Sequence, residues 1–164
     1  MKILKPDLVS NSLGEINLEY YKNKAMRGMI LDLDNTLVPW HLDCITAEAD
    51  LFLREALALD YRICLLTNAS KKRTEKIARQ YDLHYLSSAF KPRKKAFLRA
   101  LQLIGLRADE VLVIGDQVFT DVLGGNRAGC YTILVPALSP KEFIGTKVFR
   151  FLEWLLKAGH PYRK

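Results

Sequence analysis

Cysteine and histidine are both scarce in this sequence, with three of each in 164 residues. Cys44, Cys64 and Cys130 are odd in number and widely spaced, which argues against a disulfide framework. No combination of them with histidine has the spacing of a zinc site. Cys64 and Cys130 lie in apolar, strand-like runs and are expected to be buried free thiols. Long apolar runs are missing: none approaches the ~20 residues of a membrane-spanning helix. The first stretch, MKILKPDLVSNSLGE, has no long apolar segment followed by a small-residue cleavage site. A secretory leader is therefore not expected, and the cytoplasm is the expected compartment. Repeats, low-complexity tracts and linkers are absent too, so residues 1–164 are expected to form one domain.

What is present is an ordinary globular balance, 49% hydrophobic and 26% charged, sufficient for a sizeable core. The net charge is +7 and the pI about 9.4. Such a balance favours anionic partners, whether phosphates, nucleic acid or an anionic membrane surface, and does not choose among them. A solvated basic surface with no partner gives the same numbers.

Strand-like and helix-like segments alternate. Met29 to Leu33 reads as a buried strand, followed by a helix capped by Thr46 with Ala49, Phe52, Leu53, Ala56 and Leu57 on one face. Arg62 to Leu66 is a second strand, and Ser70 can cap a helix running to about Tyr81. His84 to Leu86 is a weak third strand. Pro92 suits the first turn of a helix whose apolar face is Phe97, Leu98, Leu101 and Ile104 and whose end is Gly105. Val111 to Ile114 is a fourth strand, a helix follows from about Thr120 to Ala128, and Tyr131 to Val135 is a fifth. A last helix is expected from about Lys147 to Ala158. This order predicts an α/β fold: three layers, a mostly parallel five-stranded sheet with helices on both faces.

Ligands in such folds bind beyond the carboxyl ends of the strands. The residues there are chemically coherent. Asp32-Leu33-Asp34-Asn35-Thr36 ends the first strand, Thr67-Asn68 the second, Lys91 follows the third, and Asp116 ends the fourth with Asp121 one helical turn on. Phosphomonoester hydrolysis needs these groups. A carboxylate can attack phosphorus and form an acyl phosphate, which splits one hard step into two. Residues i and i+2 of an extended chain point the same way, so Asp32 and Asp34 can share one site as nucleophile and acid–base group. Carboxylates facing a phosphate dianion require a hard cation, for which Asp116 offers a further oxygen ligand. Lys91, Thr67 and Asn68 can offset and bind phosphoryl oxygens. Each residue alone is equally well a turn former, a helix entry or a solvated side chain.

The set resembles the haloacid dehalogenase (HAD) superfamily. Asp32 to Thr36 is similar to its first motif, DxDx(T/V); Thr67 and Lys91 match the second and third; Gly115-Asp116-Gln117-Val118-Phe119-Thr120-Asp121 resembles the fourth in its GDxxxxD form. The match spans roughly residues 27 to 135. The resemblance implies a magnesium-dependent phosphatase; many members carry a cap domain after the first or third strand, but here each of those segments is filled by one helix and its loops, so no cap is expected. In such a phosphatase Asp32 is the nucleophile and Asp34 the general acid and base. Asp32, Asp116 and the backbone carbonyl of Asp34 hold magnesium, Asp121 orients it, and Thr67 and Lys91 bind the phosphoryl group. An acid at Asp34 favours phosphatase over dehalogenase chemistry. The string from Met29 to Trp40, the segment Gly115 to Val122, and Lys5-Pro6-Asp7 resemble the subfamily IIIA, YqeG-type phosphatases. These are similar to phosphatidylglycerophosphate phosphatases of mitochondria and plastids, and the resemblance implies a lipid phosphate as candidate substrate.

An uncapped site lies open. That suits a large or surface-borne substrate, or a small one if oligomerisation closes it. Lys71-Lys72-Arg73 and Arg93-Lys94-Lys95 each begin a helix, where cations oppose the macrodipole. Both clusters should rim the site, with Trp40 as a further candidate contact. The expected helix near the end of the chain is amphipathic and basic, so it either packs on the sheet or lies on an anionic membrane. Other phosphatase substrates (a nucleotide, a sugar phosphate, a phosphoprotein, a nucleic-acid end) remain open. So does a phosphate-sensing or RNA-associated protein that keeps the fold, although no aromatic-rich RNA-binding motif is present. A phosphorelay receiver domain would carry its acceptor acid on the third strand, which has none at its end.

Overall fold

The computed structural model describes residues 2–139. The helix expected at 147–158 lies outside the described residues. Six parallel strands form one sheet: β1 (Leu8–Val9), β2 (Gly28–Leu31), β3 (Arg62–Leu66), β4 (His84–Leu86), β5 (Val111–Gly115) and β6 (Tyr131–Leu134), in the order β1-β6-β5-β2-β3-β4. Five were expected. The sixth, β1, has only two residues, too few for any periodicity. Tertiary contacts hold it: the Asp7 carboxylate accepts from the backbone N–H of Thr132 at 2.8 Å, and Ser10 N–H donates to Leu134 O.

The helices are α1 (Leu18–Asn23), α2 (Ala47–Ala58), α3 (Lys71–Gln80), α4 (Lys94–Ile104) and α5 (Leu123–Ala128). Thr46 caps α2, accepting from Ala49 N–H at 3.1 Å, and Gly105 ends α4 in the left-handed region at φ 64°. α1 was not anticipated, although Asn17 caps it through Tyr20 N–H. Pro92 stands outside α4, not in its first turn, because Arg93 occupies the cap position. The helix expected from Thr120 begins instead at Val118, as a five-residue π turn (Val118–Val122) leading into α5. Leu57 and Leu98 fall on exposed faces, off the apolar stripes to which they were assigned.

Alternation along the strands divides the core between the two faces of the sheet. Leu31, Leu65 and Leu112 belong to a cluster with Phe52, Leu53 and Ile77. Ile30, Cys64 and Val113 belong to another with Phe97, Leu101 and Ile104. Cys64 and Cys130 are buried free thiols, each pushed up to about 12 by desolvation, and Cys44 is exposed. Between β2 and β3, and between β4 and β5, the chain holds one α-helix each plus connecting loops, so no cap domain is inserted. No helix among the described residues is long and apolar enough to cross a membrane. From β2 the chain steps outward to β3 and β4, then returns to the other side of β2 as β5. Strand order reverses between β2 and β5, and a ligand crevice belongs there.

Candidate active site

Asp32 and Asp116 are the first residues beyond β2 and β5, the two strands that flank this reversal. Asp32 N–H still pairs with Ile114 O at 3.0 Å, so the ladder itself fixes the carboxylate at the sheet edge. The chain then turns sharply. Asn35 takes φ 63° and donates to Val38 O at 2.7 Å, while Leu37 and Val38 N–H both return to Leu33 O. Buried Leu33, Leu37 and Val38 anchor the turn. Asparagine is among the few residues that tolerate this left-handed backbone. Its Oδ1 also accepts from Trp40 N–H at 3.2 Å, and its carbonyl accepts from Leu138 N–H. Asn35 is the turn's organiser, a role that the motif pattern leaves as an unspecified position.

The Asp32 carboxylate is buried. Thr36 Oγ1 donates to its Oδ2 at 3.1 Å, and Lys91 Nζ donates to its Oδ1 at 2.5 Å. Lys91 Nζ also meets Asp121 Oδ1 at 2.6 Å, and both of these side chains are only 3% exposed. Burial disfavours the lysine charge, but Asp121 and Asp32 outweigh it and hold its pKa well above the usual range. Burial raises the Asp121 carboxyl, and Lys91 opposes that rise. Gln117 N–H donates to the other Asp121 oxygen at 3.2 Å. The Lys91 backbone is fixed in turn by Asn68, whose Oδ1 accepts from Lys91 N–H at 2.8 Å. Thr67 is buried and its Oγ1 accepts from Ala69 N–H at 3.0 Å. A hydroxyl that accepts in this way keeps its own proton to donate.

Asp32, Asp116 and Asp121 each offer one carboxylate oxygen, and these three atoms lie within 4.8 Å of one another. Three buried hard oxygen donors fit a hard divalent cation. The Asp34 side chain is not part of this cluster. Its Oδ1 accepts from Arg73 Nε at 2.7 Å; burial raises its pKa and Arg73 counteracts the rise. Of the expected rim, Lys71, Lys72, Arg93, Lys94 and Lys95 are exposed, Trp40 is 39% exposed, and Arg73 is drawn inward.

Gly115 supports the site in a way that the motif alone does not explain. A Cβ there would stand 2.3 Å from Asp121 Cγ and 2.6 Å from its Cβ. The last strand residue must lack a side chain for Asp121 to lie against it. Gly115→Ala is expected to displace this carboxylate and lower kcat by about 10²-fold with the fold intact, because a misplacement near 1 Å has that effect. A kcat within threefold of wild type, with unchanged circular dichroism, would remove Gly115 from this role.

The fold, the reversal point and this carboxylate–lysine set define an HAD-like hydrolase, and the comparisons agree. Residues 89–137 match the HAD-hydrolase-like family model. The chain is 35% identical to the Bacillus subtilis (strain 168) protein named Probable phosphatase YqeG, over 97% of this chain and 95% of that one. It therefore belongs to the HAD-like phosphatases. It is also 26% identical to phosphatidylglycerophosphate phosphatase 1, chloroplastic/mitochondrial, of Arabidopsis thaliana, over 95% of this chain but 49% of that one. Among solved structures, the cobalt-bound deoxy-D-mannose-octulosonate 8-phosphate phosphatase (YrbI) of Haemophilus influenzae superposes with a TM-score of 0.58 at 17% identity, covering 78% of this chain and 77% of that one. At that identity the likeness is one of fold.

Proposed function

We propose that this chain is a magnesium-dependent phosphomonoesterase, acting as a single domain through an aspartyl-phosphate on Asp32, with phosphatidylglycerophosphate as its candidate substrate. The observation that carries the chemistry is the Asp32 carboxylate. It is buried, hydrogen-bonded to Thr36 and Lys91, and grouped with Asp116 and Asp121 at the strand-order reversal.

One Asp32 oxygen attacks phosphorus, and the ester oxygen leaves with a proton from the Asp34 carboxyl. The resulting Asp34 carboxylate then takes a proton from water as that water attacks the phosphoryl-aspartate, which restores both side chains and releases phosphate. Lys91 and Thr67 donate to the phosphoryl oxygens through both steps, and Asn68 holds Lys91 in place. Asp32, Asp116 and the Asp34 backbone carbonyl would hold magnesium, with Asp121 orienting it; the ion would supply positive charge to the transferring phosphoryl group. Chelation is accordingly expected to stop turnover, and magnesium to restore it.

The lipid assignment is supported by the Arabidopsis relative's name and by the character of the rim. Trp40, Leu42 and Phe90 are exposed large apolar residues on loops at the same sheet edge, and Phe90 is 65% exposed. The Arg93 guanidinium lies 5.2 Å from the Phe90 ring centroid. Lys94 and Lys95 continue the basic run into α4, and Lys71 and Lys72 open α3. Apolar side chains beside cations suit the surface of an anionic bilayer. Phosphate release from phosphatidylglycerophosphate in mixed micelles, measured beside soluble monoesters, tests the assignment. Turnover of soluble esters alone would keep the phosphatase and discard the lipid. Lys94→Glu/Lys95→Glu is expected to raise KM on anionic micelles about tenfold and to flatten its salt dependence; an unchanged KM would take these lysines out of substrate capture.

A further inference from the structure

Arg73 breaks a local rule. It stands in the first turn of α3, which has no acidic residue there and no side-chain cap, so its charge opposes the helix dipole. The structure shows what offsets this. The guanidinium donates to Asp34 Oδ1 at 2.7 Å, Asp43 Oδ1 at 2.8 Å, Leu42 O at 2.7 Å and Pro39 O at 3.3 Å. One side chain thus ties α3 to Asp34 and to the loop that follows the first motif. Lys72 and Lys71, one and two residues before it, remain exposed.

The position has a consequence for specificity, resting on the reading of Asp34 as the acid–base group. That group must touch the leaving oxygen, so a residue bonded to it lies on the leaving-group side of phosphorus. While Arg73 occupies Oδ1, that oxygen is not available to the ester. We propose that Arg73 recognises an anionic group carried by the leaving alcohol, exchanging its ion pair with Asp34 for that anion and thereby freeing Asp34 for the reaction. The preferred substrate class is then a phosphomonoester with a second anionic centre in its leaving group. A planar guanidinium suits such a pairing because it binds carboxylate and phosphate alike through several donors.

The test is a ratio, which general damage to the loop does not alter. Wild-type enzyme is expected to favour phosphonopropyl phosphate over propyl phosphate by about tenfold in kcat/KM, the size of one charge-assisted contact. Arg73→Gln should bring the ratio near unity, and Arg73→Lys should keep part of it. A second arm needs no turnover. The Arg73 Nε–Hε resonance, assigned by its loss in Arg73→Gln, should shift with trimethylene bisphosphonate and not with propylphosphonate. An unchanged ratio in Arg73→Gln, or a resonance that responds equally to both phosphonates, would overturn the proposal. A protein that hydrolyses neither these esters nor phosphatidylglycerophosphate in mixed micelles, yet shows the bisphosphonate-specific shift, would sink the phosphatase reading and keep the Arg73 assignment.

Discussion

Asp32→Asn is expected to lower phosphate release by about 10⁴-fold or more, the scale of losing a covalent nucleophile. The protein should remain folded. Asparagine is nearly isosteric, and its carbonyl can accept either from Thr36 or from Lys91, which bond different oxygens of Asp32. Lys91 keeps its second partner, Asp121. Asp32→Glu should be almost as inactive, because one added methylene moves the attacking oxygen by more than the site tolerates in a close-packed edge. Initial rates with purified variants, alongside thermal melts, check both. Retention of more than a hundredth of wild-type activity by Asp32→Asn would mean that water attacks phosphorus directly and that Asp32 only helps to hold the site.

The second large effect concerns stability. Lys91 Nζ pairs with two buried carboxylates at once, Asp32 and Asp121, and Asp116 lies in the same cluster. Lys91→Met keeps most of the volume and removes the charge. Breaking a buried pair from one side costs about 3–5 kcal/mol, because the remaining charge is left in the interior. For a domain of this size that is a fall in Tm of roughly 10 °C. The sign with pH is fixed. Without the lysine, the folded-state pKa of the Asp121 carboxyl, already raised by burial, rises further above its unfolded value, so the folded state binds the extra proton. Stability from such a group is present at low pH and lost as pH rises through the raised pKa. The deficit of Lys91→Met should therefore be smaller at pH 5 than at pH 7. An equal deficit at both would assign the loss to packing rather than to charge. Activity should fall as well, since Lys91 is also a phosphoryl donor in the proposed mechanism.

Much of this arrangement is legible in the sequence, for a specific physical reason. Asp32, Thr67 and Asp116 each terminate a buried apolar run, and a polar residue at that point of an α/β chain can only lie at the sheet edge. Helix limits at Thr46 and Gly105 are equally local, because capping chemistry is set by one residue and its neighbours. What escapes the sequence is what tertiary contact decides. β1 exists because Asp7 and Ser10 find partners on β6. α1 is short, although Asn17 with Leu18 and Tyr21 one turn apart is a signal that could have marked it. The basic first turn of α3 is visible as an anomaly, but nothing in the chain shows that Arg73 turns toward Asp34 while Lys71 and Lys72 stay outside. Gly115 stands in the fourth motif pattern; the reason for it, the Asp121 carboxylate lying where its side chain would be, is visible only in three dimensions.

The central claim, that Asp32 carries the phosphoryl group, is tested most directly by trapping it. Enzyme turning over a soluble monoester with magnesium would be quenched in acid within the first turnover, digested, and the peptide containing Asp32 weighed. The account predicts a fraction of that peptide heavier by one phosphoryl group, the added mass localising to Asp32 and absent from Asp32→Asn. Rapid turnover with no phosphorylated peptide at any quench time, or phosphate found on another residue, would contradict it.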